Sequence, residues 1–88
     1  MIWRVEFDDR ARKELRKLDR QAQSLILSYL RDRIATDDDP CRFGDPLRKN
    51  MSGFWKYRIG PYRVICDIRE HIVTVRVLRV GHRKNVYA

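Results

Sequence analysis

Apolar and polar residues alternate in two segments of this chain, and the alternation predicts strands. The first segment is residues 2–7, and the second is residues 54–65, which Gly60-Pro61 divides in the middle. A glycine at the first position of a two-residue loop can adopt the positive φ that a tight reversal requires. Residues 54–65 therefore predict a β-hairpin that turns at Gly60-Pro61.

The period of two assigns the side chains of this hairpin to opposite faces of a sheet. Lys56, Arg58 and Arg63 share one face, and in this register Arg58 lies directly across from Arg63. Like charges in such a pair are destabilising, so the arrangement predicts that an anion binds on this face. The other face should meet the core with Trp55, Tyr57, Ile59, Tyr62 and Val64.

Between residues 8 and 36 the apolar residues recur at helical spacing. Asp8 or Asp9 can cap a first helix, and Asp19 can cap a second. The second helix should end near residues 35–36, because an acidic cluster and Pro40 follow. Two helices joined by so short a turn form an αα-hairpin. The apolar side of the second helix is expected to consist of Ala22, Leu25, Ile26, Tyr29, Leu30 and Ile34, with Leu27 off this stripe.

The second half of the chain predicts a meander of three strands. Residues 64–68 extend the hairpin, and residues 72–80 are apolar on both faces, which is typical of a central strand. Strands of a meander are antiparallel. The predicted fold is therefore α+β in the order β-α-α-β-β-β, a two-helix hairpin on one face of an antiparallel sheet. Residues 1–88 are expected to form a single domain.

The excess positive charge lies in the half that contains the hairpin. The chain has 20 Lys and Arg residues against 12 Asp and Glu residues, a net charge of +8. Residues 1–39 carry nine of each sign, so residues 40–88 hold the whole excess. This asymmetry favours a polyanionic partner, nucleic acid first and an acidic protein second.

Other features narrow the class of protein. No signal peptide is recognisable and no apolar run approaches the roughly 20 residues of a membrane span, so a cytoplasmic protein is expected. The pairs Cys41/Cys66 and His71/His82 lack metal-ligand spacing. We therefore expect no metal and no other cofactor, and reduced cysteines.

Four segments, in this order, resemble the RelE/ParE toxins of bacterial toxin–antitoxin systems. They are residues 7–18, residues 46–48 followed by residues 53–58, residues 60–65 and residues 80–87. The resemblance implies the RelE-like fold. For the RelE branch it also implies a ribosome-dependent endoribonuclease that cuts mRNA in the A site and inhibits translation. It further implies a RelB-like antitoxin as partner, and operator DNA as a partner of the toxin–antitoxin complex.

The resemblance carries the family's catalytic set onto Lys56, Arg58, Arg63, Arg83 and Tyr87. RNA can be cut without a metal when a base activates its 2′-hydroxyl, cations stabilise the phosphate and an acid protonates the leaving oxygen. Arg58 and Arg63 suit the role of a phosphate clamp, because guanidinium groups stay protonated and bind in a bidentate manner. Lys56 and Tyr87 are both candidates for the base.

Three more residues are candidates for the same site. Arg76 and Lys84 are expected to bind RNA together with the catalytic cations. His82 is a candidate acid, because histidine titrates near neutral pH, but an exposed histidine after a strand explains it equally well. Arg58 and His82 stand where the best-known member of the family has lysine. Two other functions stay open: inhibition of DNA gyrase in the manner of ParE, and a non-enzymatic RNA-binding module.

Overall fold

Two helices cover one face of a five-stranded sheet, which confirms the α+β prediction. The computed structural model of the protein describes residues 1–47 and 53–86. A π-helical turn, Leu30–Ile34, continues the second helix, and 3-10 turns span Pro40–Phe43 and Glu70–Ile72. The main elements are β1 (Arg4–Phe7), α1 (Asp9–Lys17), α2 (Arg20–Tyr29), β2 (Asp45–Pro46), β3 (Phe54–Ile59), β4 (Tyr62–Arg69) and β5 (Thr74–His82).

The sheet is mixed, in the order β1-β5-β4-β3-β2. β3, β4 and β5 form the predicted antiparallel meander. β1, however, pairs in parallel with β5, with Val5 aligned to Val75. The prediction of a wholly antiparallel sheet is wrong in this respect, because β1 joins a strand that lies far away in the sequence. β2, in a stretch predicted as loop, adds an edge strand beside β3.

The helices begin and end where the sequence predicts. The Asp8 carboxylate accepts a hydrogen bond from the N–H of Asp9 at 2.9 Å, and that of Asp19 accepts one from Ala22 at 2.8 Å. These caps satisfy N–H groups that a helix N-terminus leaves without partners. At the other end of the second helix, the N–H of Ala35 closes the π-helical turn. No helix among the described residues is long and apolar enough to cross a membrane.

The core lies between the helices and the sheet. Leu25 is an exception to the predicted stripe, because it is 47% exposed. Leu27 is 44% exposed, as its place off the stripe predicts. The largest fully buried side chain is Tyr57, whose hydroxyl donates to the carbonyl of Pro40 at 2.8 Å and so holds the turn before β2. The sheet contributes Tyr57, Ile59, Val64, Cys66, Val75, Val77 and Val80, and the helical segments contribute Ala11, Leu15, Ile26, Leu30 and Ile34.

Glu14 of α1 forms hydrogen bonds with the part of β5 that does not pair with β1. β1 pairs with β5 only as far as Val77. Beyond that point the Glu14 carboxylate accepts the backbone N–H of Val80 at 3.0 Å and the Nε of Arg79 at 3.0 Å. A side chain of α1 therefore takes the place of a neighbouring strand and fixes the end of β5 from which the C-terminal residues continue.

Candidate functional site

The β3–β4 hairpin brings Lys56, Arg58 and Arg63 to one face of the sheet. Arg58 pairs with Arg63, and Lys56 pairs with Ile65 two residues further from the loop. The loop has the predicted two residues, and Gly60 has a φ of +57°. Arg58 keeps 65% of its side chain exposed, whereas Arg63 is half-buried. The predicted face-to-face pair of arginines is therefore present in the structure.

The guanidinium of Arg63 is held against the hairpin loop. Its Nη1 donates to the carbonyl of Gly60 at 2.9 Å and to that of Tyr62 at 2.8 Å. Its Nε and Nη2 have no hydrogen-bond partner within residues 1–47 and 53–86, and no carboxylate there pairs with it. These two nitrogens are spaced to bind two oxygens of one phosphate. The loop carbonyls thus fix a cation whose binding edge stays available.

The residues after β5 turn back against the same end of the hairpin. The N–H of Arg83 donates to the carbonyl of Pro61 at 2.9 Å, and the N–H of Val86 donates to that of His82 at 3.0 Å. Val86 is 2% exposed and lies 3.5 Å from the point where a Cβ on Gly81 would stand. Since Gly81 pairs with Arg63, this turn places Arg83 and Lys84 beside the hairpin loop. Tyr87 lies outside the described residues.

His82 does not join this face. It pairs with Tyr62, and the two rings meet edge to face with centroids 6.0 Å apart. Arg63 and Tyr62 are consecutive residues of β4, so their side chains point to opposite faces. The Nδ1 of His82 accepts the N–H of Lys84 at 3.2 Å. The predicted proton donor is therefore on the opposite face from the arginine pair.

Arg76 lies at the far end of β5 and is paired with carboxylates. Its guanidinium is 3.6 Å from Glu6 and 3.4 Å from Asp8. At the same end of the sheet, Arg69 pairs with Asp67 at 2.9 Å. Both arginines at this end of the sheet are therefore paired with carboxylates, and the structure does not bring Arg76 to the hairpin loop.

Asp45 adds a carboxylate to the basic face. It pairs with Lys56 across β2 and β3, and its Oδ2 is 3.9 Å from the Nε of Arg58. The sequence does not single out Asp45, because a two-residue strand has no periodicity that could place it. Asp45 is exposed, so it can both balance the cations and accept a proton.

One other titratable group near the hairpin, the Tyr57 hydroxyl, is unsuited to proton transfer. Burial raises the pKa of the Tyr57 hydroxyl, which is fully enclosed and bonded to Pro40. The described residues contain no cluster of three or more His, Cys, Asp or Glu side chains that could hold a metal ion. The hairpin thus carries a group of cations, of which Arg63 is fixed by the loop, together with one carboxylate. Charge-assisted hydrogen bonds to a phosphate are within the chemistry of such a group.

Comparison with known proteins relates the chain to bacterial toxins. The family model described as ParE toxin of type II toxin-antitoxin system, parDE, matches residues 5–87. The chain is similar to Toxin RelG of Mycobacterium tuberculosis, with 32% identity over 87 residues, which are 99% of this chain and 98% of RelG.

Two solved structures have the same fold. A chain of the toxin–antitoxin complex RelBE2 from Mycobacterium tuberculosis has a TM-score of 0.86 and 31% identity, covering 94% of this chain and 100% of that one. The isolated RelE toxin of E. coli has a TM-score of 0.72 and 26% identity, covering 91% of this chain and 83% of RelE. Because the family match spans nearly the whole chain and the fold agrees, the chain belongs to the RelE/ParE superfamily, the toxins of type II toxin–antitoxin systems.

Proposed function

We propose that this toxin is an endoribonuclease that cuts mRNA in the ribosomal A site and thereby inhibits translation. The observation that carries the proposal is the pair formed by Arg58 and Arg63. Two cations held side by side repel each other, and a phosphate between them would replace this repulsion with charge-assisted hydrogen bonds. The similarity to RelG and to RelE supports the same class of activity.

The reaction needs only the substrate's own hydroxyl and side chains of the toxin. The 2′-oxygen of the RNA attacks the adjacent phosphorus, and the bond to the 5′-oxygen of the next nucleotide breaks. The base takes the 2′-hydroxyl proton, and the leaving 5′-oxygen receives a proton from the protonated base or from water, so the products are a 2′,3′-cyclic phosphate and a 5′-hydroxyl. Arg58 and Arg63 would bind the non-bridging oxygens, on which negative charge grows in the transition state. Arg83, anchored at Pro61, supplies a third guanidinium at this end of the hairpin.

Three groups are candidates for the base that removes the 2′-hydroxyl proton. Lys56 and Tyr87 come from the family resemblance, and Asp45 comes from the β2–β3 register. General base catalysis contributes typically about 10²- to 10⁴-fold to a rate. We expect this loss in only one of the variants Lys56→Met, Asp45→Asn and Tyr87→Phe, measured as single-turnover cleavage on programmed ribosomes. A loss of that size in one variant assigns the base.

Brief induction in growing cells, followed by mapping of mRNA 5′ ends, tests the activity itself. The expected result is new ends at a fixed phase within codons, only on translated messages. Arg63→Ala should abolish these ends. Arg69→Ala is the matched control, because Arg69 is on the same strand and face but pairs with Asp67. Wild-type growth arrest without new mRNA ends would overturn the proposal.

The proposed partners follow from this activity and from the relatives. The ribosome and mRNA are the substrate complex, and a RelB-like antitoxin is the inhibitor, as RelBE2 is a toxin–antitoxin complex. An acidic antitoxin fits the net charge of +8. Operator DNA is a further proposed partner of the toxin–antitoxin complex. Affinity for the antitoxin should fall with salt, because exposed charges are screened.

A second candidate is inhibition of DNA gyrase, since the matching family model describes a ParE toxin. This alternative gives the arginine pair a function other than binding the phosphate of RNA. Under the gyrase alternative, purified toxin inhibits supercoiling while mRNA in induced cells stays intact. A third outcome, RNA binding with neither cleavage nor growth arrest, would indicate a non-enzymatic RNA-binding module.

A further inference from the structure

A groove lies on the opposite face of the hairpin from the arginine pair, between α2 and the hairpin loop. Its volume is about 330 Å³, and it is lined by Asp19, Gln21, Ala22, Leu25 and Tyr62. We propose that this groove, here called the base groove, binds one unpaired base of the RNA whose phosphate Arg58 and Arg63 hold. The inference rests on the proposed function and deepens it by assigning a site for the base.

The walls of the base groove suit a flat aromatic ligand. Tyr62 supplies a ring that is only partly buried, and His82 supports it edge to face from β5. Leu25 faces it from α2 and is 47% exposed, although the helical pattern predicts it to be in the core. Single-stranded RNA is commonly bound by stacking its bases on aromatic side chains. A bound base would thus explain both the exposure of Leu25 and the packing of His82 against Tyr62.

The base groove continues into the phosphate site around the end of the hairpin. Leu25 lies 3.7 Å from the point where a Cβ on Gly60 would stand, so the groove reaches the loop. The guanidinium of Arg63 donates to the carbonyl of Gly60, and the backbone N–H of Arg83 donates to that of Pro61. An RNA strand that passes over Gly60-Pro61 would therefore keep its phosphate on the arginines while one base enters the groove.

The polar residues at the rim can bind the edge of a base. One oxygen of Asp19, Oδ1, accepts the N–H of Ala22, while Oδ2 has no hydrogen-bond partner among the described residues. Oδ2 can accept a hydrogen bond from an exocyclic amino group. Gln21 is exposed beside it and offers both a donor and an acceptor. These two residues are where a preference among bases would arise.

A cycle of changes in both protein and RNA tests the inference. Ribosomes are programmed with an mRNA that is either normal or abasic at each A-site nucleotide in turn, and single-turnover cleavage is measured. For wild type, we expect one abasic position to slow cleavage roughly 10- to 100-fold, the size of one base–aromatic stack. For Tyr62→Leu, cleavage of normal mRNA should already be slow, and that abasic position should change it less than about 3-fold.

The ratio between the two RNAs is taken within one protein preparation, so partial unfolding of a variant lowers both rates and leaves the ratio unchanged. Tyr62→Phe keeps the ring and should retain the wild-type ratio. Leu25→Ala should reduce the ratio, whereas Leu27→Ala should not, because Leu27 is similarly exposed but lies outside the base groove.

Three results would overturn the base groove, and they can be told apart. If wild type cleaves but Tyr62→Leu keeps the full abasic effect, the groove does not bind a base, although the nuclease proposal stands. A loss of antitoxin affinity in Leu25→Ala, with an unchanged abasic effect, would assign the groove to a protein instead. If wild type does not cleave mRNA on ribosomes at all, the proposed function fails and the base groove fails with it.

Discussion

Arg58 and Arg63 lie directly opposite each other across the β3–β4 hairpin. The Asp45 carboxylate offsets little of their repulsion, because it approaches Arg58 alone, at 3.9 Å. A pair of like charges in this position costs stability, and a ladder of uncharged residues would not. The pair is therefore a structural cost that function can explain. This relationship leads to a prediction in which stability and activity change in opposite directions.

The substitution Arg58→Gln should keep or raise the free energy of unfolding, by up to roughly 1 kcal/mol, because it removes the repulsion. The same variant should no longer arrest growth, because the phosphate clamp has lost one side. Urea unfolding and growth after induction are the two measurements. Arg69→Gln is the control and should leave growth arrest unchanged, since Arg69 pairs with Asp67 at the far end of β4. A toxic or clearly destabilised Arg58→Gln protein would contradict the idea of a strained clamp.

The arginine pair could be predicted from the sequence because a two-residue loop fixes the register of its own hairpin. The same reasoning failed further along the sheet. Counting in twos along β5 puts His82 on the face of Arg76, which is the basic face. The β4–β5 ladder shifts register between Ile65 and Cys66, so β5 contains one extra residue. This β-bulge moves His82 to the opposite face, and no local pattern indicates it.

Contacts between distant parts of the chain were likewise beyond sequence reasoning. The parallel pairing of β1 with β5 joins Val5 to Val75, and apolar alternation alone is compatible with several neighbours for β1. Glu14 was predicted only as part of a helix, yet it binds Arg79 and Val80, about 65 residues away. The helix caps at Asp8 and Asp19, by contrast, depend only on adjacent residues, and both predictions are confirmed.

Glu14 leads to a second prediction. Glu14→Ala should lower the free energy of unfolding by roughly 2–4 kcal/mol, because it leaves Arg79 and the N–H of Val80 without their partner. Glu14→Gln should recover part of this loss, since its amide oxygen can still accept the N–H of Val80. Glu6→Ala is the control, because its ion pairs are longer and more exposed, at 3.6 and 3.8 Å, and should cost under about 1 kcal/mol. Equal losses for Glu6→Ala and Glu14→Ala in urea unfolding would show that the contact of Glu14 with β5 stabilises the protein no more than an exposed ion pair does.

Val73 leads to a third prediction, because it is a β-branched residue in the left-handed region, with φ +50° and ψ +49°. Its backbone is held there by hydrogen bonds with Arg4 and Glu70, at 2.9 and 3.1 Å. For residues with a Cβ, this conformation costs roughly 1–2 kcal/mol, and asparagine tolerates it best. Val73→Asn should therefore raise the free energy of unfolding by about 0.5–1 kcal/mol. Val73→Ala removes the β-branch but offers no polar group, so it should gain less than Val73→Asn. Thermal unfolding measures both variants, and no gain from Val73→Asn would refute the explanation by strain.

The buried thiol of Cys66 leads to a fourth prediction, on alkaline stability. Burial raises the pKa of Cys66 from 9.0 to about 12, so the folded protein keeps this proton at a pH where the unfolded chain has lost it. The stabilising contribution of the thiol is then complete below about pH 9 and is lost progressively as the pH rises from 9 towards 12. Over this range the free energy of unfolding of wild type should fall faster than that of Cys66→Ala, by roughly 1.4 kcal/mol per pH unit. Cys41, whose pKa burial also raises, is present in both proteins and cancels in the comparison. The pKa of Tyr57 is raised first by its own burial, which Cys66→Ala leaves in place, and only secondarily by Cys66. Urea unfolding at about pH 7, 9 and 10 measures the two slopes, and parallel slopes above pH 9 would mean that Cys66 is not the group that holds its proton.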